Sequence, residues 1–112
     1  MSVALKRSRL AALVLLASAL SALGAETAKV QISKLAFLPA EITVHVGDTV
    51  EWSNGDFIPH TATVKPAAGS AGWDVPIPAG KTAQLLITEA GTVDYLCRFH
   101  PNMKAKIIVL AK

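Results

Sequence analysis

Cys97 is the only cysteine of the 112-residue chain, which excludes an intramolecular disulfide in a domain small enough to want a covalent or metal staple. Histidine is scarce, at three residues, and methionine scarcer: Met103 is the only one besides the initiator. That scarcity excludes a second metal centre within one chain. Charge of one sign is missing too. The formal net charge of +3 comes from Lys6, Arg7 and Arg9, and beyond residue 25 eight scattered basic residues balance eight acidic ones. A nucleic-acid binder presents a clustered basic face, so that class is set aside. No helical period is sustained after residue 25, no segment repeats, and no apolar run reaches the roughly 20 residues of a membrane-spanning helix.

The first 25 residues read differently from the rest. Lys6, Arg7 and Arg9 precede an apolar run over residues 10–20, and the small-residue segment Ser21-Ala22-Leu23-Gly24-Ala25 follows, the three-part layout of a secretory signal peptide. Residues 1–25 are expected to direct export and be removed, leaving residues 26–112 as one domain in the periplasm with no membrane insertion. A lone thiol in an oxidising compartment is a liability unless buried or ligated. The surroundings of Cys97 therefore matter first.

After residue 25 the period is two. Val30 and Ile32, then Leu35 and Phe37, alternate loosely with polar residues, while Ile42, Val44 and Val46 alternate strictly with Thr43 and His45. Gly47-Asp48 marks a turn and Val50 with Trp52 resumes the alternation, so these segments are expected to form a hairpin. Residues 60–64 suit a short strand leaving a loop. Residues 66–80, rich in Ala, Gly and Pro and carrying Trp73, read as a long irregular connection. Residues 82–88 are the next strand and Glu89-Ala90-Gly91 turns the chain. Val93, Tyr95 and Cys97 share one face of the strand after it, and residues 106–110 close the domain. Short strands between frequent turn signals predict an all-β Greek-key sandwich.

The chemistry concentrates in Cys97-Arg98-Phe99-His100-Pro101-Asn102-Met103, which puts a thiolate, an imidazole and a thioether in one loop at a strand's end. Each has an ordinary explanation by itself: a small buried side chain, a solvated histidine, a core filler. The spacing argues otherwise, because Met103 falls three residues after His100, itself three after the only cysteine. Two imidazoles and a thiolate in a plane, with a weak axial thioether, favour copper and suit it to electron transfer. The second imidazole has to come from elsewhere. His60 is the candidate, since it follows Pro59 where a loop gives way to a strand, and such a strand end can lie beside the loop after Cys97. His45 is out of phase with Val44 and Val46 and is expected to face away from the core.

These residues resemble the cupredoxins, and among them the amicyanins, over essentially the whole chain after residue 25. The matching features are residues 54–60, the run Glu89-Ala90-Gly91-Thr92-Val93-Asp94-Tyr95 leading into Cys97, and the C-x2-H-x2-M loop with its two-and-two spacing. The resemblance implies one type 1 copper ion, with His60, Cys97 and His100 as strong ligands and Met103 as the axial one. It places Asn54 behind them, tying the His60 loop to the backbone around Cys97 and Arg98, or to the sulfur. It implies a monomeric periplasmic carrier cycling Cu(II)/Cu(I), with an amine dehydrogenase as donor and a c-type cytochrome as acceptor. Amicyanins usually have proline and a hydroxyl residue between the cysteine and the histidine, where this chain has Arg98 and Phe99. Phe99 and Pro101 suit the apolar rim around the exit histidine of that family. Arg98 either adds a positive charge that steers an acidic partner or is a solvated loop residue.

Other classes fit less well. A periplasmic copper carrier or buffer with the same ligands is the alternative, but transfer sites usually expose exchangeable, Met-rich ligands and this chain has one usable methionine. A copper oxidase or reductase needs a second metal or an open coordination position, for which the histidines are too few, so no enzymatic activity is expected. A metal-free interaction sandwich would show no metal dependence of stability.

Overall fold

The computed structural model describes residues 24–112. The expected signal peptide, residues 1–25, lies outside the described residues except for Gly24 and Ala25. The strands are β1 (Thr27–Ser33), β2 (Ala36–Leu38), β3 (Glu41–His45), β4 (Thr49–Asn54), β5 (His60–Val64), β6 (Trp73–Ile77), β7 (Thr82–Leu86), β8 (Gly91–Cys97) and β9 (His100–Leu110). They build two sheets, ordered β2-β1-β4-β7 and β3-β9-β8-β5-β6, with no helix among the described residues. The all-β sandwich expected from the period-two pattern is the observed architecture.

Alternation decides what lies between the sheets. β4 buries Val50 and Trp52, while β9 buries Met103, Ala105, Ile107 and Val109. Burial of side chains of the Val, Ile and Met size contributes roughly 1.5–3 kcal/mol each. The sheets also meet through aromatic rings. The Trp52 indole N–H of one sheet donates to the Tyr95 hydroxyl of the other at 3.2 Å, and Phe37 sits edge-on to Tyr95 with centroids 4.7 Å apart. Burial pushes the Tyr95 hydroxyl up to about 12, so it stays a neutral phenol.

Three sequence expectations are corrected. β3 and β4 are not a hairpin: β3 pairs in parallel with β9 in one sheet, and β4 in parallel with β1 and antiparallel with β7 in the other. The connection is a corner between sheets, which shows the same alternation as a hairpin. The Asp48 carboxylate accepts the Glu26 and His45 N–H groups at 2.9 Å each, and Gly47, at φ 98°, donates its N–H to Ile87. Trp73 is not in an irregular connection but opens β6, which pairs with β5 from Val64↔Trp73 to His60↔Ile77. Pro76 masked that strand. β6 is an edge strand, and an edge tolerates a residue without an N–H. Leu35 is half-exposed in the turn between β1 and β2, where Lys34 and Leu35 have φ of 51° and 59°.

These pairings position the functional end. β5 lies between β6 and β8, so the start of β5 and the end of β8 come together at one end of the five-stranded sheet.

Candidate metal centre

Three of the four residues singled out by spacing stand around the tight β8–β9 turn: Cys97 ends β8, His100 opens β9 and Met103 lies three residues further on. Cys97 pairs with His100, but Leu96 pairs with Lys104, so Pro101, Asn102 and Met103 stand opposite no residue of β8. Such an irregularity bends a strand and re-aims its side chains. His100 is left half-buried at the turn, whereas Met103 becomes the first inward residue of β9, 4% exposed. β9 begins earlier than the hydrophobic pattern of residues 106–110 suggested, because its first residues serve the site rather than the core.

His60 comes from the first position of β5 and is 1% exposed; Cys97 is fully buried. The Cys97 Sγ lies 3.7 Å from His60 Nδ1 and 3.6 Å from His100 Nδ1. The imidazole centroids are 5.2 Å apart, and all three potential ligand atoms lie within 4.8 Å of one another. A first-row ion at the centre of two nitrogens at about 2.0–2.1 Å and a sulfur at about 2.3 Å separates N from S by about 3.5–3.8 Å. The residues therefore fit one small, borderline-soft ion. His45 stays away from this cluster: it is exposed, with its Nδ1 3.9 Å from Asp48 Oδ2.

The bonds around the candidate ligands differ from what the resemblance implied. Asn54 is buried, but it makes no bond to Cys97 or Arg98. Its Nδ2 reaches the carbonyls of Ile58, Ile77 and Pro78 at 2.9, 3.1 and 3.3 Å, and its Oδ1 accepts the Asp56 N–H at 2.9 Å. It braces the loop before His60 against the end of β6. The bond to the sulfur comes instead from the backbone N–H of Thr61, 3.4 Å from Cys97 Sγ.

Asp56 is a residue the sequence argument missed. Its Oδ2 lies 2.8 Å from His60 Nε2, and its carboxylate also accepts the N–H groups of Lys34 and Leu35. The Leu35 N–H first, and then His60, hold this carboxyl below the usual carboxylate range. An ionised carboxylate accepts only, so Nε2 carries the proton of this bond, and Nδ1 is the nitrogen on the Cys97 side. A carboxylate on the far nitrogen is the usual way to fix the tautomer and orientation of a ligating histidine. An acidic residue four positions before the candidate histidine was the available signal.

Arg98 is an exposed loop residue, as one of the two readings had it, but its charge is paired rather than free at the rim. Its Nε and Nη2 donate to the two oxygens of Asp74 at 2.8 and 3.1 Å, and its guanidinium carbon lies 5.2 Å from the Phe99 ring centroid. Asp74 is 24 residues away on β6, the strand that read as irregular. The exposed residues at this end are mostly apolar: Phe57 is fully exposed, and Ile58, Pro59, Phe99 and Pro101 are exposed beside it or across from it.

Comparison with known proteins agrees with this geometry. A cupredoxin-like domain model matches residues 8–109. The chain is 35% identical to amicyanin of Paracoccus versutus over 89 residues, covering 76% of this chain and 66% of that protein. It is 40% identical to amicyanin of Paracoccus denitrificans over 82 residues, covering 71% and 63%. It is 33% identical to amicyanin-alpha of Methylorubrum extorquens, covering 76% and 73%. The chain thus spans just under two thirds of the two Paracoccus proteins. Among solved structures, a reduced amicyanin variant superposes with a TM-score of 0.68 at 36% identity, and a Cu(I) amicyanin variant with 0.69 at 34%. Each covers 75% of this chain and 82% of the other.

Proposed function

The chain belongs to the cupredoxin-like family, and from that premise we propose that it is a periplasmic type 1 copper protein that carries single electrons between redox partners. The observation that carries the reading is the buried cluster of one thiol and two Nδ1 atoms spaced for a single ion. His60, Cys97 and His100 would hold the ion, with Met103, buried beside them on β9, as the fourth residue. Copper, when bound, supplies a one-electron Cu(II)/Cu(I) couple.

The residues around the cluster resist rearrangement, which is what a carrier needs if both oxidation states share one geometry. Asp56 holds the His60 ring, Asn54 holds the loop before it, and the β8–β9 turn ties Cys97 to His100. Half-buried His100 is the way out for the electron, and the apolar surface of Phe57, Ile58, Phe99 and Pro101 is where a partner desolvates. An amine dehydrogenase as donor and a c-type cytochrome as acceptor are the proposed partners, and residues 1–25 the export signal. Burial of His60 and Cys97 favours a retained ion over an exchangeable cargo.

The test is to load the protein with Cu(II). An intense visible sulfur-to-copper absorption, bleached reversibly by one electron and absent from Cys97→Ser, is expected. Rapid loss of the ion to a chelator, without reversible reduction, would favour the carrier function instead.

A further inference from the structure

Four residues beside the ligands form a hydrogen-bonded ring. The Arg98 backbone N–H donates to Thr61 Oγ1 at 2.9 Å, and the hydroxyls of Thr61 and Thr63 are 2.8 Å apart. Thr63 Oγ1 donates to Asp74 Oδ1 at 2.6 Å, and Asp74 is gripped by the guanidinium of the same Arg98. The ring leaves from one residue's backbone and returns to its side chain. The strand register makes it possible: Thr61 and Thr63, both buried, point to one face of β5, and Asp74 stands directly opposite Thr63 on β6.

Its polarity is fixed. An ionised carboxylate only accepts, so Thr63 directs its single hydroxyl proton at Asp74. The Thr63 oxygen then receives the Thr61 proton, and the Thr61 oxygen receives the Arg98 N–H. Thr61 is also the residue whose own N–H meets Cys97 Sγ at 3.4 Å. One residue therefore joins the ring to the sulfur.

We propose that Asp74, which touches no ligand, is a positioning residue for Cys97: through Thr63 and Thr61 it pins the peptide after Cys97, keeps the Thr61 N–H on the sulfur, and raises the reduction potential of the centre. The inference rests on the copper reading above. Hydrogen bonding at the cysteine sulfur is a recognised control of potential in copper–thiolate sites. A donor aimed at the sulfur stabilises the more electron-rich, reduced form, so loosening it lowers the potential.

The sign separates this effect from simple charge. Removing the Asp74 carboxylate and freeing Arg98 makes the surroundings more positive, which by Coulomb attraction alone raises the potential. With the ring in control, Asp74→Ala lowers it, and so does Thr63→Val, which changes no charge. A threefold to tenfold shift toward the oxidised form is expected, about 30–60 mV for a one-electron couple. Thr63→Ser, which keeps the hydroxyl, restores the original value. In the metal-free protein, amide exchange at Arg98 and Thr61 speeds up about tenfold in both disrupting variants, with Ile107 on β9 unchanged.

A raised or unchanged potential in Asp74→Ala and Thr63→Val, with only thermal stability reduced, overturns the inference. Unchanged amide exchange overturns it without reference to metal. If the unaltered protein gives no intense visible band with copper, the copper reading fails and this inference with it, whatever the exchange rates show. Should Asp74→Ala not fold, the Thr63→Val and Thr63→Ser pair applies the same criteria.

Discussion

His60 and His100 present the same nitrogen to the same sulfur, at 3.7 and 3.6 Å, from opposite circumstances. His60 is buried on a strand, and its far nitrogen is held by Asp56, whose backbone N–H is held in turn by Asn54. His100 is half-buried in a tight turn, and among the described residues no protein group bonds its far nitrogen. The difference teaches a division of labour. One imidazole is built into the core to fix geometry; the other is left at the surface, where its open edge can meet a partner.

Breaking the two sides separately should give the largest contrast. His60→Ala removes a core side chain and strands Asp56, so the visible band should vanish and metal-free stability should fall by roughly 2–4 kcal/mol. His100→Ala should leave metal-free stability within about 1 kcal/mol, and added imidazole should refill its place and restore the band. Urea unfolding and an imidazole titration read both outcomes. Equal rescue of the two variants would erase the contrast.

A smaller change sharpens it. Asp56→Ala keeps every ligand but frees the His60 ring, and loss of such a partner typically weakens metal binding about 10–100-fold, measurable by chelator competition. Asp56 also links this side to pH. Its carboxyl is held below the ordinary value of 3.8, so its contribution to stability is complete above that value and fades as the pH falls through the folded-state value. Acid unfolding should therefore be less steep in Asp56→Ala than in the unaltered protein. Smallest in stability is Phe57→Ala. The ring is fully exposed, so unfolding should shift by less than about 0.5 kcal/mol, while electron self-exchange between copies slows with the potential unchanged.

Most of the architecture was legible. A period of two marked the inward residues of β3, β4 and β8, because a half-buried strand sorts its side chains to alternate faces. The alternation could not say which sheet a strand joins, so the corner at Gly47-Asp48 read as a hairpin. β6 was hidden by Pro76, whose tolerance depends on lying at an edge, and an edge exists only once the sheet is assembled.

The site divides the same way. Cys97, His100 and Met103 were singled out as a group by the sequence alone, because their spacing is short and local. His60 was reachable because a histidine at a strand start had few rivals. The surroundings were decided by tertiary structure. Thr61 and Cys97 are 36 residues apart, and Arg98 and Asp74 are 24 apart; neither pair carries a periodicity or motif that links its members. Candidate ligands follow from residue type and short spacing, whereas the bonds that orient them are made across strands whose register only the folded sheets establish.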